Sequence, residues 1–167
     1  MFPGELALLQ QLQNLRTSFL NTFFEAITTF GEETLLVLLI ISLWFSYDKY
    51  LARKLFFITA VSLSINSIIK NFLRIPRPFS TGIITCVRPD TATGYAFPSG
   101  HTQSFATWST TLSVTLKKKW FSRLTGILLL CVAFSRLYLG AHYLSDVVCG
   151  GAFGVIIAHV GNKICDI

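Results

Sequence analysis

The sequence is short of charged residues. Asp, Glu, Lys and Arg make up 13% of its 167 residues, about half the share in a typical soluble domain, while 52% of the residues are hydrophobic. The apolar residues come in long runs and do not alternate with polar ones, which favours membrane helices over a β-barrel. The same composition excludes collagen, a coiled coil and intrinsic disorder. Together these absences predict an all-α, polytopic helical bundle in a lipid bilayer.

Several other signals are also missing. The N-terminus lacks the basic start, apolar stretch and small-residue cleavage site of a signal peptide, so we expect the first hydrophobic span to direct insertion. Four cysteines in a chain of this length do not form a disulfide framework, and we expect free thiols. The net charge is +6, but the basic residues are scattered between apolar blocks and form no basic stripe. No nucleic-acid partner is therefore expected.

Five apolar blocks follow one another along the chain. A hydrocarbon core of about 30 Å needs about 20 residues in a helix, and flanking Tyr, Trp, Lys and Arg can extend the shorter blocks into the interface. We therefore expect about five transmembrane helices. They cover residues 33–47, 55–72, 97–116, 120–139 and 144–160.

The region before the first block differs in pattern. Residues 5–30 carry apolar side chains at three- and four-residue steps and polar side chains on the opposite face, which predicts an amphipathic helix. This helix is too polar to span easily, so we expect it to lie in the membrane interface, with a sixth span as the alternative. The chain is expected to form one membrane-embedded domain over residues 1–167, with an interfacial segment at 1–31 and a transmembrane bundle at 32–163.

Basic residues predict the orientation of the bundle. The connections between the first and second spans and between the third and fourth are rich in Lys and Arg, and the positive-inside rule places both in the cytoplasm. Their basic residues are Lys49, Arg53, Lys54, Lys117, Lys118, Lys119 and Arg123. The long connection over residues 74–96 and the short turn over residues 139–143 are therefore expected outside.

Ionisable residues gather at the outer ends of the predicted spans, where the positive-inside rule would deplete Lys and Arg. Charges near a bilayer are expensive, so this cluster indicates function. Its members are Lys70, Arg74, Arg77, Arg88, His101, Arg136, His142 and Asp146. Lys70 and Arg77 are seven residues apart, so they would share a face if the helix continued to Pro76 and Pro78. A lysine at a helix end is, on its own, more often an interfacial anchor.

One segment of this cluster has the features of an anion site. Pro98, Ser99, Gly100 and His101 follow a loop and open an apolar span. Ser99 is a suitable N-cap, Gly100 lets a backbone amide approach a ligand, and unpaired amides at a helix start attract anions. The alternative for this segment alone is an ordinary cap with a hydrogen-bonded histidine.

A second segment has the features of an activated nucleophile. His142 and Asp146 are four residues apart and share one helical face, close behind Arg136 in the sequence. A carboxylate on one ring nitrogen would fix the tautomer of His142 and leave the other nitrogen free to attack. A metal site is the alternative, but three cationic side chains at the same face would repel a metal ion and attract an anion.

Taken together, the motifs follow a fixed order. They read Lys70, six residues, Arg77-Pro78; then Pro98-Ser99-Gly100-His101; then Ser135-Arg136, five residues, His142, three residues, Asp146. This pattern closely resembles the three-part signature of the type 2 phosphatidic acid phosphatase superfamily, in particular its bacterial membrane lipid phosphatases. The resemblance covers about half of the chain.

The resemblance implies a metal-independent phosphatase without a cofactor, which acts through a covalent phosphohistidine. By motif position, His142 resembles the nucleophile, Asp146 its orienting partner and His101 the general acid. The phosphate-binding residues that the resemblance implies are Lys70, Arg77, Ser99, Gly100 and Arg136. Arg74, Arg88 and His159 lie outside the motifs, and we interpret them as interfacial or helix-packing residues.

The resemblance also implies a substrate class and a location. Similar bacterial enzymes act on undecaprenyl pyrophosphate, phosphatidylglycerol phosphate, phosphatidate or lipid A, so the expected partner is a lipid phosphate in the bilayer. The expected location is the inner (plasma) membrane, with the active site on the outer face, and the oligomeric state stays open. Two alternatives are a non-catalytic lipid-phosphate binder or transporter and a vanadate-dependent peroxidase. The presence of His101, His142 and Asp146 disfavours the binder, because binding alone requires neither a nucleophile nor an acid.

Overall fold

The described part of the chain, residues 4–166 of a computed structural model, consists of helices joined by turns and loops. Residues 1–3 and 167 of the predicted domain lie outside the described residues. The α-helices are α1 (Glu5–Asn14), α2 (Ser18–Thr28), α3 (Glu33–Ser46), α4 (Lys49–Leu73), α5 (Gly100–Leu116), α6 (Lys119–Tyr138) and α7 (Leu144–Cys165). The predicted all-α class is confirmed, and each of the five predicted spans lies on one helix, from α3 to α7.

Not every helix meets the requirements for a membrane span on its own. Within residues 4–166, three segments are long and apolar enough to cross a membrane: Lys49–Thr81, Lys119–Tyr138 and Leu144–Cys165. A bent pair, Ser18–Gly31 and Glu33–Ser46, would add a fourth span if its two halves, which meet at 50°, cross together. These lengths and compositions are those of a multi-pass membrane protein.

Helix α5 differs from the predicted third span. It begins at Gly100, and eight of its 17 residues are Ser or Thr, so it is less apolar than a lipid-facing helix. It packs against α3, α4, α6 and α7, which cover it on several sides. Six of its eight hydroxyl groups form hydrogen bonds; for example, the Thr107 hydroxyl donates to the Gln103 carbonyl at 2.9 Å. Because other helices surround α5, its outward-pointing side chains contact protein and can be polar.

Two glycines set the close contact between α5 and α7. The spacing of Gly150 and Gly154 is typical of closely packed membrane helices. A Cβ at Gly154 would lie 2.5 Å from the carbonyl oxygen of Gln103, and one at Gly150 would lie 2.7 Å from that of Ser99. The two helices that carry the second and third motifs are therefore in direct backbone contact.

The N-terminal region is not one continuous helix, so the prediction over residues 5–30 is wrong in this respect. The chain breaks between α1 and α2, where the Thr17 hydroxyl caps α2 by accepting the Leu20 N–H at 3.2 Å. Arg16 turns towards the bundle and donates to the carbonyl oxygens of Tyr138 at 2.9 Å and Thr85 at 2.8 Å. These bonds to distant residues favour the break over a straight amphipathic helix.

Helix α1 packs on one end of the bundle. Leu9 is buried in an apolar cluster contributed by the loop between α4 and α5 and by the neighbouring helices. Other buried members of this cluster are Ile84, Ala96, Leu137, Tyr143 and Val147. The Glu5 carboxylate accepts the backbone N–H of Ser145 at 2.7 Å, at the positive end of α7. The N-terminal segment therefore covers the end of the bundle at which the motifs lie.

The opposite end of the bundle contains an ion pair between a buried lysine and an exposed carboxylate. Lys54, assigned from sequence to a connecting loop, lies within α4 and is buried. Its ammonium group contacts the Asp166 carboxylate at 2.6 Å. The Tyr50 hydroxyl donates to the Cys165 carbonyl at 2.7 Å, so this end of α7 is fixed to α4. Lys54 is thus a packing residue and not a solvated basic residue of a loop.

Candidate active site

The three motifs meet at one end of the bundle. Lys70 lies in the last turn of α4, Gly100 begins α5, Arg136 lies in the last turn of α6 and Asp146 in the first turn of α7. A cavity of about 350 Å³ opens at this end of the bundle, and Ser99, Arg136 and Asp146 are not in its lining. The motif residues in its walls are Lys70, Arg77, Gly100, His101 and His142. Motif residues up to 72 positions apart in the sequence, from Lys70 to His142, thus surround one space.

Arg77 is held by several hydrogen bonds in this cavity. Its Nε donates to the Gly94 carbonyl at 3.0 Å, and its Nη2 donates to the Thr93 carbonyl at 2.6 Å. Its Nη1 donates to the Ala141 carbonyl at 3.1 Å and lies 3.2 Å from Nε2 of His142. Only 6% of the residue is exposed. The guanidinium therefore joins the loop between α4 and α5 to the turn that carries His142.

Lys70 is oriented by the same loop. Its ammonium group donates to the carbonyl oxygens of Tyr95 at 2.7 Å and Ala96 at 3.4 Å. The helical face that Lys70 and Arg77 were predicted to share does not form, because α4 ends at Leu73. Loop carbonyls bring the two cations together instead. Sequence reasoning missed this role, since a carbonyl oxygen is present in every residue and has no pattern.

His142 and Asp146 form the expected pair. The ring Nδ1 lies 3.4 Å from Asp146 Oδ2, and both side chains are almost fully buried. The same carboxylate oxygen accepts the Tyr143 backbone N–H at 2.9 Å. One oxygen of Asp146 therefore contacts His142 Nδ1 and also satisfies a free amide at the start of α7.

The contact with Arg77 assigns the tautomer of His142. A guanidinium has only donors, so Nε2 of the ring must accept and Nδ1 must carry the proton that faces Asp146. Burial lowers the pKa of the His142 imidazole well below its usual value of 6.5, and the charges of Arg136 and Arg77 lower it further. His142 is thus a neutral imidazole whose Nε2 lone pair is directed towards the cavity wall formed by Arg77.

Arg136 and His101 have unpaired polar atoms in the interior. Arg136 is completely buried, and its Nη1 donates to the Thr28 hydroxyl at 2.9 Å. Its Nε and Nη2, and Nε2 of His101, are buried without a hydrogen-bond partner among residues 4–166. Buried polar groups are seldom left unpaired, and a guanidinium edge matches two oxygens of a tetrahedral anion. These atoms are suited to bind an oxyanion.

Ser99 and Gly100 lie where the sequence predicted, with one correction. Ser99 occupies the N-cap of α5, but its hydroxyl makes no cap bond and pairs instead with the Thr102 hydroxyl at 3.1 Å. Behind this turn, Asn66 donates to the Gln103 side chain at 2.8 Å. Gln103 in turn donates to the Ser62 carbonyl at 2.9 Å. This buried polar chain between α4 and α5 has no motif by which the sequence could have revealed it.

The three residues outside the motifs do not line the cavity. Arg88 forms an ion pair with Glu32 at 3.0 Å, and the Arg74 guanidinium donates to the Asn71 carbonyl at 3.0 Å. His159 is exposed on α7, with Nδ1 2.9 Å from the Val155 carbonyl. Within the described residues, His, Cys, Asp and Glu side chains form no group of three that could hold a metal ion.

Comparisons with known proteins agree with the motifs. The sequence matches the PAP2 superfamily over residues 51–165. It is 34% identical over 102 residues to a dolichyldiphosphatase of Saccharomyces cerevisiae, in a match covering 54% of this chain and 42% of the yeast protein. It is 27% identical over 168 residues to a lipid A 4'-phosphatase of Porphyromonas gingivalis, covering 92% of this chain and 69% of that protein. The chain thus spans less than half the length of the yeast relative.

The fold also resembles a solved membrane protein. A transmembrane PAP2 type phosphatidylglycerolphosphate phosphatase from Bacillus subtilis superimposes with a TM-score of 0.84. The superposition covers 98% of this chain and 85% of that chain, at 21% sequence identity. The arrangement of helices is therefore shared, although most side chains differ.

Proposed function

Because this chain belongs to the PAP2 superfamily, we propose that it is an integral membrane phosphatase that hydrolyses the phosphate or pyrophosphate head group of a lipid. One observation carries the proposal: Nε2 of His142 lies in a cavity wall, 3.2 Å from Nη1 of Arg77. In this arrangement the guanidinium can bind the oxygens of a phosphoryl group while the neighbouring lone pair attacks its phosphorus atom.

The proposed reaction has two steps. In the first, Nε2 of His142 forms a bond to phosphorus while the bond from phosphorus to the leaving oxygen breaks. That oxygen belongs to the lipid alcohol or, in a diphosphate, to the lipid monophosphate, and His101 in its imidazolium form donates a proton to it. In the second, water attacks the phosphohistidine, the N–P bond breaks and His101 accepts a proton from the water. The products are a lipid alcohol or lipid monophosphate and inorganic phosphate.

Cationic groups supply the stabilisation that such a reaction needs. Phosphoryl transfer requires mainly alignment and stabilisation of the charge on three equatorial oxygens. We assign this role to Lys70, Arg77 and Arg136, with the hydroxyl of Ser99 and the backbone N–H of Gly100. On binding, Arg77 Nη1 would turn from the Nε2 lone pair to a phosphoryl oxygen, which frees His142 to attack.

The position of the cavity favours a lipid substrate. It opens at the ends of membrane helices, so a head group can enter while the hydrocarbon chain stays in the bilayer. The two relatives reported above are named for a dolichyl diphosphate and for the 4'-phosphate of lipid A. Both names describe a phosphate on a lipid, and we extend this class, including both monoesters and diphosphates, to the present chain.

Phosphate release from purified protein tests the proposal. The protein in detergent, treated with EDTA, is expected to release phosphate from one or more of undecaprenyl pyrophosphate, phosphatidylglycerol phosphate, phosphatidate and lipid A. The variant His142→Ala should lose activity, and His159→Ala, altered at an exposed histidine outside the cavity, should keep it. A phosphoenzyme that is labile to acid and stable to base would support the histidine intermediate. Lipid binding without turnover over the panel would instead support a binder.

We further propose that the site faces the outside of the inner membrane. The end of the bundle opposite the cavity is that of Lys117, Lys118 and Lys119, which the positive-inside rule places in the cytoplasm. A reporter that is active only in the cytoplasm should then be active when it is fused to the C-terminus. Activity of a reporter that requires the extracytoplasmic space would contradict this orientation.

A further inference from the structure

A threonine outside the family match contacts a motif arginine. Thr28 is the last residue of α2 and is fully buried, and it lies outside residues 51–165. Its hydroxyl accepts a hydrogen bond from Nη1 of Arg136 at 2.9 Å, across 108 positions of sequence. None of the sequence motifs points to Thr28.

The geometry of the guanidinium gives this bond a consequence. Arg136 is completely buried, and Thr28 fixes Nη1, at one corner of its planar fork. Nε and Nη2 form the opposite edge, and neither has a partner in the part of the chain that the structure describes. Two parallel N–H groups on one edge match two oxygens of a phosphoryl group. The threonine bond therefore determines which edge of Arg136 is left for an anion.

The segment around Thr28 is itself fixed against the other motifs. A Cβ at Gly31 would lie 2.8 Å from the carbonyl oxygen of His101, so the turn after Thr28 packs directly on the start of α5. The rings of Phe24 and Tyr138 have centroids 4.5 Å apart and hold α2 against α6. Thr28 is thus fixed between the segment that carries His101 and the helix that carries Arg136.

We propose that Thr28 is a positioning residue of the phosphatase site, which orients the Nε–Nη2 edge of Arg136 towards the phosphoryl group. This inference rests on the proposed function. Without the hydroxyl, the buried guanidinium would lose its one side-chain partner and could rotate away from a bidentate geometry. The loss of binding should be greatest for the transition state, because the phosphoryl group then carries the largest negative charge that Arg136 contacts.

Three variants separate orientation from packing. Thr28→Val keeps the shape of the side chain but removes the hydroxyl, whereas Thr28→Ser keeps the hydroxyl and removes a methyl group. Thr22→Val is the control, since Thr22 lies on the same helix, is exposed and bonds only the Ser18 carbonyl. If Thr28→Val does not fold, Thr28→Cys replaces it, because a thiol is a weak acceptor of nearly the same size as serine.

Two readouts are measured for each variant: kcat/KM for lipid phosphate and the affinity for vanadate, which imitates five-coordinate phosphorus. Loss of a hydrogen bond to a charged group typically changes a rate or binding constant about tenfold or more. Thr28→Val should therefore lower both kcat/KM and the vanadate affinity about tenfold. Thr28→Ser should stay within about threefold of the wild type, and Thr22→Val should be unchanged. Equal losses in Thr28→Ser and Thr28→Val, or no loss in Thr28→Val, would overturn the inference.

A double-mutant cycle tests whether the effect passes through Arg136. In an Arg136→Ala background, Thr28→Val should cause no further loss of kcat/KM or vanadate affinity, whereas additive losses would contradict the proposed role. The proposed function fails separately, if the wild type binds vanadate but releases no phosphate from any lipid. The vanadate affinities of the variants would then still decide whether Thr28 orients Arg136.

Discussion

Ser99 donates its backbone N–H to the carbonyl oxygen of Asp146 at 2.9 Å. This bond joins the start of α5 to the first turn of α7, so the proposed phosphate-binding turn and the residue proposed to orient His142 are fixed to each other through the backbone. Side-chain changes at either position leave the bond in place. The distance between the two segments depends instead on how closely α5 and α7 pack, which leads to the first prediction.

Gly150→Ala is expected to reduce both stability and activity. The added Cβ would lie 2.7 Å from the carbonyl oxygen of Ser99, and a backbone oxygen cannot move aside as a flexible side chain can. Overpacking of this kind typically costs about 1–3 kcal/mol in the free energy of unfolding. The displaced Ser99 turn should also lower kcat/KM about tenfold or more. Melting temperature in detergent and phosphate release measure the two effects.

The neighbouring glycine provides the control for this substitution. A Cβ at Gly151 would have its nearest contact at 3.7 Å, with a methyl group of Thr102, which is an ordinary van der Waals distance. Gly151→Ala should therefore retain activity and melt at the wild-type temperature or slightly above it, because alanine favours the helix. If both variants behaved alike, close approach of Ser99 would not be the cause.

Asp146→Asn is expected to lower kcat strongly while the protein stays folded. The amide can still accept the Tyr143 N–H, which is 2.9 Å from Asp146 Oδ2, so the start of α7 is retained. The charge that orients Nδ1 of His142 is lost, and the amide N–H₂ would favour the wrong tautomer. A loss of at least about a hundredfold in kcat is expected from comparable substitutions. Wild-type activity of this variant would exclude Asp146 as the orienting residue.

Arg77→Lys should impair activity although the charge is kept. A lysine cannot reach the carbonyl oxygens of Thr93, Gly94 and Ala141 and also contact His142 as the planar guanidinium does. Loss of one charge-stabilising contact corresponds to about 3 kcal/mol, or roughly a hundredfold in kcat/KM. Arg74→Lys, at an arginine outside the cavity, should remain near the wild type in the same phosphate-release assay.

The stability of the protein should fall as the pH falls below 6.5, partly through His142. Burial holds the pKa of His142 in the folded protein well below 6.5, and the charges of Arg136 and Arg77 lower it further. Below pH 6.5, His142 of the unfolded chain therefore takes up a proton that His142 of the folded chain does not. The unfolded state binds more protons in that range, and the free energy of unfolding therefore decreases with decreasing pH. Melting temperatures between about pH 7.5 and 5 should decline less in His142→Gln than in the wild type.

A matched variant separates this effect from a general response to acid. His159 is exposed, so His159→Gln should show the same decline in melting temperature as the wild type. An equal decline in His142→Gln would mean that the buried imidazole does not contribute to the pH dependence.

The sequence predicted the helical elements better than their boundaries and partners. Apolar runs located α3, α4, α6 and α7 because lipid-facing helices must be apolar on much of their surface. The same reasoning was less accurate for α5, whose polar residues face other helices. It was also less accurate for residues 5–30, where the hydrogen bonds of Arg16 to Tyr138 and Thr85 interrupt the amphipathic helix. In both regions, contacts with distant parts of the chain override local periodicity.

For the site, the sequence identified side chains that the structure brings together, since their residue types and spacings follow a motif. It did not identify the partners that hold them: the carbonyl oxygens that fix Lys70 and Arg77, and the hydroxyl of Thr28. Their roles in catalysis remain predictions, to be tested by the variants above.

By itself, the sequence determined that the chain is a helical membrane protein and that its motifs are those of the PAP2 superfamily. Composition and residue identity are local properties, and a string of residues records them directly. Only the tertiary structure decided that Nε2 of His142 faces Arg77 and that one edge of Arg136 has no partner among the described residues. Both depend on distances between atoms far apart in the chain, which are fixed by the packing of the helices against one another.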